Sequence, residues 1–195
     1  MAERKSKKGT RVRSSSTTNT FAYCYIASHD ALRRAEMEAT GALYFCMMAG
    51  VFAAFTVEGF LNHLGQARVS DWESLERKLG PREKLLLLRQ LLKLSVDESR
   101  RPYQTLRTML QLRDALAHGK TQTKAFDEVV KGQPREEHLW PEPDWKKLCT
   151  LASATRLVKD AEAIVRDLNT QSGSRRDPFV GLGHAWSGVS EDDID

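Results

Sequence analysis

The sequence predicts an all-α protein, an up-and-down bundle of four to five helices with disordered tails. Three observations carry that expectation. Apolar residues recur at the helical spacing of three and four along most of the chain, and no stretch alternates with period two as a half-buried strand would. Gly and Pro punctuate the chain where such helices would start and stop. With 195 residues and a 41% hydrophobic composition, the chain is long enough for one domain with its own core.

The elements follow in order. Residues 1–20 read as a disordered basic arm, because "RVRSSSTTNT" has too few apolar groups to offset the entropy of ordering. A helical domain is expected over 21–170. Its first part, "HDALRRAEMEATGALYFCMMAGVFAAFTVEGFLNHLG", reads as one long or kinked helix, or as two, with Gly65 as the stop. Ser70-Asp71-Trp72-Glu73 has the S-x-x-E pattern of a capping box and opens a short helix that breaks at Gly80-Pro81. Pro81 suits the first turn of "PREKLLLLRQLLKL", in which Leu85, Leu88 and Leu92 share a face.

A second box, Ser95 to Glu98, leads to a helix near 99–118, with Pro102 in its first turn and Gly119 as its stop. Residues 120–143 contain Gly132, Pro134, Pro141 and Pro143 and read as a loop. The last helix, near 144–170, carries Leu157, Ala161, Ile164 and Leu168 on one stripe. Residues 171–195 read as a flexible acidic tail ending in "SEDDID", which has the charge to contact the basic arm.

The formal net charge of +4 is concentrated rather than spread. Arg4, Lys5, Lys7, Lys8, Arg11 and Arg13 sit in the arm, while Glu191, Asp192, Asp193 and Asp195 sit in the tail. The arm suits sequence-independent contact with nucleic-acid phosphates, and a solvated tail is the alternative. Cys24, Cys46 and Cys149 have neither metal-ligand spacing nor an even count, which points to a reducing, cytoplasmic setting. Residues 39–57 lack charge and are long enough for a membrane span, but the amphipathic "EGFLNHLG" that follows favours a buried central helix, so no membrane is expected.

"LRDALAHGK", residues 112–120, concentrates the chemistry. At about 100° per residue, Arg113 falls in the middle of the arc formed by Leu106, Met109, Leu110, Leu112, Leu116 and Ala117. A guanidinium on a core-facing stripe requires a carboxylate, a partner chain or a ligand phosphate. Glu58, on the same side of the earlier helix as Val51, Phe55 and Asn62, is the carboxylate within the chain. His118 lies about 140° around an ideal helix from Arg113, whereas Asp114, four residues before it, shares its side and is placed to orient the imidazole. A buried Arg113–Glu58 bridge and a histidine at a helix C-terminus form the purely structural alternative.

This motif, preceded by "VEGFLNHLG" and by the lysine-leucine helix "EKLLLLRQLL", resembles the HEPN superfamily of higher eukaryote and prokaryote nucleotide-binding helical domains over roughly residues 25–170. The family's R-x4-6-H motif corresponds to Arg113, Asp114, the spacer "ALA" and His118. The resemblance implies a helical bundle that forms a homodimer, so that two motifs line one composite cleft. It also implies a metal-independent endoribonuclease that needs no cofactor, used as the toxin of a toxin-antitoxin pair or in anti-phage defence. Its partners would then be RNA and an antitoxin or nucleotidyltransferase-like protein. Arg113 would hold the phosphate, His118 would move protons, Asp114 would position His118, and the product would be a 2',3'-cyclic phosphate. The alternative within the same family is a non-catalytic binding or assembly module.

Glu58, Asn62, Lys120 and Lys124 are supporting candidates, the two lysines as phosphate-backbone contacts or as a solvated face. Trp72, Trp140, Trp145 and Trp186 have no regular spacing and read as core or loop anchors rather than base-stacking platforms.

Overall fold

The computed structural model describes residues 10–13, 16–127, 129–180, 184–186 and 190–193. Five long helices make a bundle: α1 (Thr20–Met37), α2 (Ala42–Arg68), α4 (Pro81–Leu92), α5 (Tyr103–Ala117) and α7 (Leu151–Gln171). Between them lie the short α3 (Trp72–Glu76) and α6 (Glu136–Leu139), and a 3-10 turn at Asp144–Leu148 precedes α7. The all-α expectation holds.

The long apolar segment is two helices. The chain turns at residues 38–41, where Gly41 has φ 81°, a left-handed conformation that glycine adopts without the steric cost a Cβ brings. Its carbonyl accepts the first amides of α2, from Tyr44 and Phe45. Helix α2 does not stop at Gly65 but runs to Arg68. Gly65 serves packing instead: a Cβ there would lie 2.2 Å from Trp72 Cε2, so only glycine lets the buried indole lie on the helix.

Helix α2 is the centre of the fold and touches α1, α3, α4, α5 and α7. It is long and apolar enough to cross a membrane. Its inward face buries Cys46, Ala49, Ala53, Val57, Phe60, Leu61 and Leu64 against those helices, as a core helix does. Its outward face carries the exposed Tyr44, Met48 and Phe55. The predicted α7 stripe is also core: Leu157, Ala161, Ile164 and Leu168 are all buried. That helix begins at Leu151 rather than near 144, because Thr150 caps it by accepting the amide of Ser153 at 3.2 Å.

Pro81 opens α4 as expected, but neither capping box forms. Asp71, at φ 56°, takes the cap position of α3 without a side-chain cap, and Ser74 Oγ donates to its carbonyl. Ser95 is held elsewhere: its amide donates to Gln171 Oε1 at 2.6 Å and its carbonyl accepts from Gln171 Nε2 at 3.1 Å. The chain beside it buries Leu94 and Val96, and α5 starts only at Tyr103.

Residues 172–180, expected to belong to a flexible tail, pack back on the bundle. Phe179 stacks on Tyr25 with ring centroids 3.8 Å apart, and the Arg166 guanidinium lies 5.3 Å from the Phe179 centroid. Arg166 also pairs with Asp177. Beyond this strap the chain ends meet in two antiparallel ladders, β1 (Thr10–Arg13) with β4 (Ser190–Asp193) and β2 (Ser16–Thr18) with β3 (His184–Trp186). Arg11 stands opposite Asp192 in the first ladder. Residues 1–9 of the basic arm lie outside the described residues.

Candidate active site

Arg113 has the internal carboxylate that its position on the apolar stripe requires. Its Nη2 donates to Glu58 Oε2 at 2.9 Å and its Nη1 to Asp114 Oδ1 at 2.7 Å. The side chain is 16% exposed, and the Nε atom is buried without a hydrogen-bond partner. Burial therefore constrains the arginine, and two carboxylates hold its terminal nitrogens.

Glu58 is shared. Its Oε1 lies 4.0 Å from the Nζ of Lys84, a lysine only 5% exposed on α4. Two nearly buried cations thus converge on one carboxylate from neighbouring helices, an arrangement that low solvent access makes costly to break. Lys84 was not among the residues the sequence singled out. The signal was present: with Leu85 as reference, Lys84 falls about 40° from Leu88 on the helical wheel, at the margin of the buried face.

Asp114 does not do what its spacing suggests. Its carboxylate pairs with the neighbouring Arg113, and only its main-chain carbonyl reaches His118, accepting that residue's amide at 2.9 Å. Sequence separation of four gives proximity along a helix but cannot tell which of two neighbours wins a carboxylate. An adjacent, permanently charged guanidinium outcompetes an exposed imidazole.

His118 caps the C-terminus of α5 with φ −116° and ψ 17°, outside helical values. Its imidazole is exposed and, among the described residues, has no hydrogen-bond partner. Despite their separation on an ideal helix, Arg113 and His118 line one cleft of about 560 Å³. Arg107, Leu110, Gln111 and Asp114 of α5 and Gly80, Pro81, Arg82 and Glu83 from the start of α4 complete its walls.

The other candidates separate from this cleft. Asn62 lines a different cavity of about 570 Å³ with Thr20, Phe21, Gly59 and His63. Lys120 and Lys124 border a smaller one of about 230 Å³ with Pro141, Pro143 and Trp145, and Lys124 is paired with Asp144 at 2.8 Å. Trp72 is buried and Trp145 is packed against the core, but Trp140 is 73% exposed. The described residues contain no group of three or more His, Cys, Asp or Glu placed to hold a metal ion.

A second polar cluster, which the sequence did not point to, joins α5 to α7. Asp160, buried on α7, accepts from Arg101 Nε at 2.8 Å, from Arg101 Nη2 at 2.7 Å and from Thr105 Oγ1 at 2.5 Å. Tyr103 donates to Asp167 at 2.6 Å. Burial, then the Asp167 carboxylate, pushes the Tyr103 phenol well above its usual range. These bonds fix the start of α5 against α7, leaving its other end, with Arg113 and His118, at the cleft.

No family model, curated protein or solved structure matches this chain.

Proposed function

We propose that this chain is a metal-independent endoribonuclease of the HEPN type, acting as a toxin or anti-phage defence component in the cytoplasm. One observation carries the reading: a constrained arginine and an exposed histidine, without a hydrogen-bond partner among the described residues, line the same cleft. RNA brings its own nucleophile, so such a pair has the chemistry that cleavage needs.

The 2'-hydroxyl attacks the adjacent phosphorus, the 2'-O–P bond forms, and the P–O5' bond breaks. His118 accepts the 2'-hydroxyl proton or delivers one to the departing 5'-oxygen, since an imidazole exchanges protons near neutrality. Each Nη of Arg113 carries two N–H bonds and spends one on a carboxylate. The remaining pair is available to the non-bridging oxygens as charge builds on the phosphorane. The products are a 2',3'-cyclic phosphate and a 5'-hydroxyl.

One histidine cannot serve as base and acid in the same step. A homodimer supplies the second, and the apolar outer face of α2 (Tyr44, Met48, Phe55), which leads toward Glu58 along that helix, is the surface that suits a second copy. An antitoxin or nucleotidyltransferase-like protein would cover the cleft to restrain activity.

A second reading has its own observation. The Glu58 and Asp114 bonds to Arg113 form a complete structural ion pair, which fits a non-catalytic helical binding or assembly module on the same fold. Incubating RNA with wild type and with Arg113→Ala and His118→Ala in EDTA separates the two. A nuclease cleaves only as wild type, whereas a binding module leaves the RNA intact.

A further inference from the structure

The cleft contains a cation that neither the chemistry above nor the fold accounts for. Of its three arginines, Arg113 is held by Glu58 and Asp114, and Arg82 pairs with Glu98 at 2.8 Å. Arg107 is exposed and, among the described residues, has no ion-pair or hydrogen-bond partner. Two acids also line the cleft. Asp114 faces Arg113, and Glu83 folds back over the start of α4, where its Oε2 lies 2.4 Å from the position a Cβ on Gly80 would take.

We infer that Arg107 forms a second phosphate subsite, which holds a phosphodiester next to the one at Arg113 and fixes a single RNA strand along α5. Arg107 precedes Arg113 by six residues, an axial offset of about 9 Å at a rise of 1.5 Å per residue. Gln111, one turn beyond Arg107 on the same side of α5 and in the same cleft, offers an amide beside that cation. The cleft volume of about 560 Å³ lies within the range of small-ligand sites. A contact remote from the reacting phosphorus orients the strand and contributes binding energy that a dinucleotide cannot collect.

The identity of the ligand as RNA rests on the ribonuclease reading, so the test must read binding and cleavage separately. Fluorescence anisotropy of a labelled eight-nucleotide single-stranded RNA across a salt series reads binding, with wild type, Arg107→Ala and Arg107→Lys compared. Cleavage of that oligomer and of a dinucleotide reads the contribution of chain length. Circular dichroism checks that each variant is folded, which the exposure of Arg107 favours.

The expected result is a roughly tenfold loss of oligomer affinity in Arg107→Ala, a salt slope lower by about 0.7, and substantial recovery in Arg107→Lys. Its loss of kcat/KM should be about tenfold greater for the oligomer than for the dinucleotide. Wild-type affinity and salt slope in Arg107→Ala would overturn the subsite, as would equal losses on the two substrates. Binding without cleavage by wild type, with the Arg107 effect intact, would retain the subsite and reject the ribonuclease reading. Absence of binding by wild type would reject both.

Discussion

Glu58 Oε2 accepts a hydrogen bond from Arg113 Nη2 at 2.9 Å, joining α2 to α5 at the wall of the candidate cleft. The same carboxylate faces the nearly buried Lys84 through its other oxygen. Removing Glu58 would strand two cations with little water to replace it. Glu58→Ala is therefore expected to destabilise the fold by about 2 kcal/mol or more. Urea denaturation measures it, and a double-mutant cycle with Arg113→Ala should return a coupling of about 1–3 kcal/mol. A coupling near zero would mean that the bond contributes nothing to folding.

Asp160 anchors the opposite end of α5. Its two oxygens accept three hydrogen bonds, one from the hydroxyl of Thr105, itself buried. Asp160→Ala leaves that hydroxyl without its partner while Arg101, more than half exposed, returns to water. The expected cost is about 1–3 kcal/mol in urea denaturation. An Arg101→Ala variant should lose less, and the reverse order would contradict this account.

Gly65 tests the packing of α3 on α2. The 2.2 Å approach of Trp72 leaves no room for a methyl group, and the indole ring is too rigid and too buried to yield without moving its helix. Gly65→Ala should cost about 1–3 kcal/mol despite alanine's better helix propensity. A change in Trp72 fluorescence should accompany it. A gain in thermal stability would show that propensity outweighs the clash.

The strap after α7 should respond to acid. The Phe179 amide, then Arg166, holds the Asp177 carboxyl below its usual value. A folded-state pKa below the unfolded one contributes stability that is fully present above the unfolded value of about 3.8. That stability is lost as pH falls through the folded value. Asp30, Asp97 and Asp144 shift in the same direction, so the acid limb has several contributors. Asp177→Asn should therefore have a lower Tm at pH 7 and a shallower decline below about pH 4 than wild type. Parallel Tm curves would exclude the contribution of Asp177.

Periodicity exposed most of the fold because it reports burial directly: the α7 stripe and the Pro81 start of α4 are where the sequence places them. It failed where a residue is claimed by a partner outside its own element, since the Ser95 backbone is taken by Gln171 and the Gly65 surface by Trp72. Within the site, Arg113 was legible as a charge on an apolar stripe and Glu58 as its carboxylate. The same test applied to α4 and α7 would have found Lys84 and Asp160. The partner of Asp114 was not legible, because spacing along a helix leaves the competition between Arg113 and His118 open.

The most direct test of the proposed chemistry is end-group analysis of a single-stranded RNA incubated in EDTA with wild type, Arg113→Ala and His118→Ala, each shown by circular dichroism to be folded. Cleavage by wild type that leaves 2',3'-cyclic phosphate and 5'-hydroxyl ends, reduced at least a hundredfold in each variant, is the predicted result. Intact RNA at high wild-type concentration, or undiminished cleavage by His118→Ala, would contradict it.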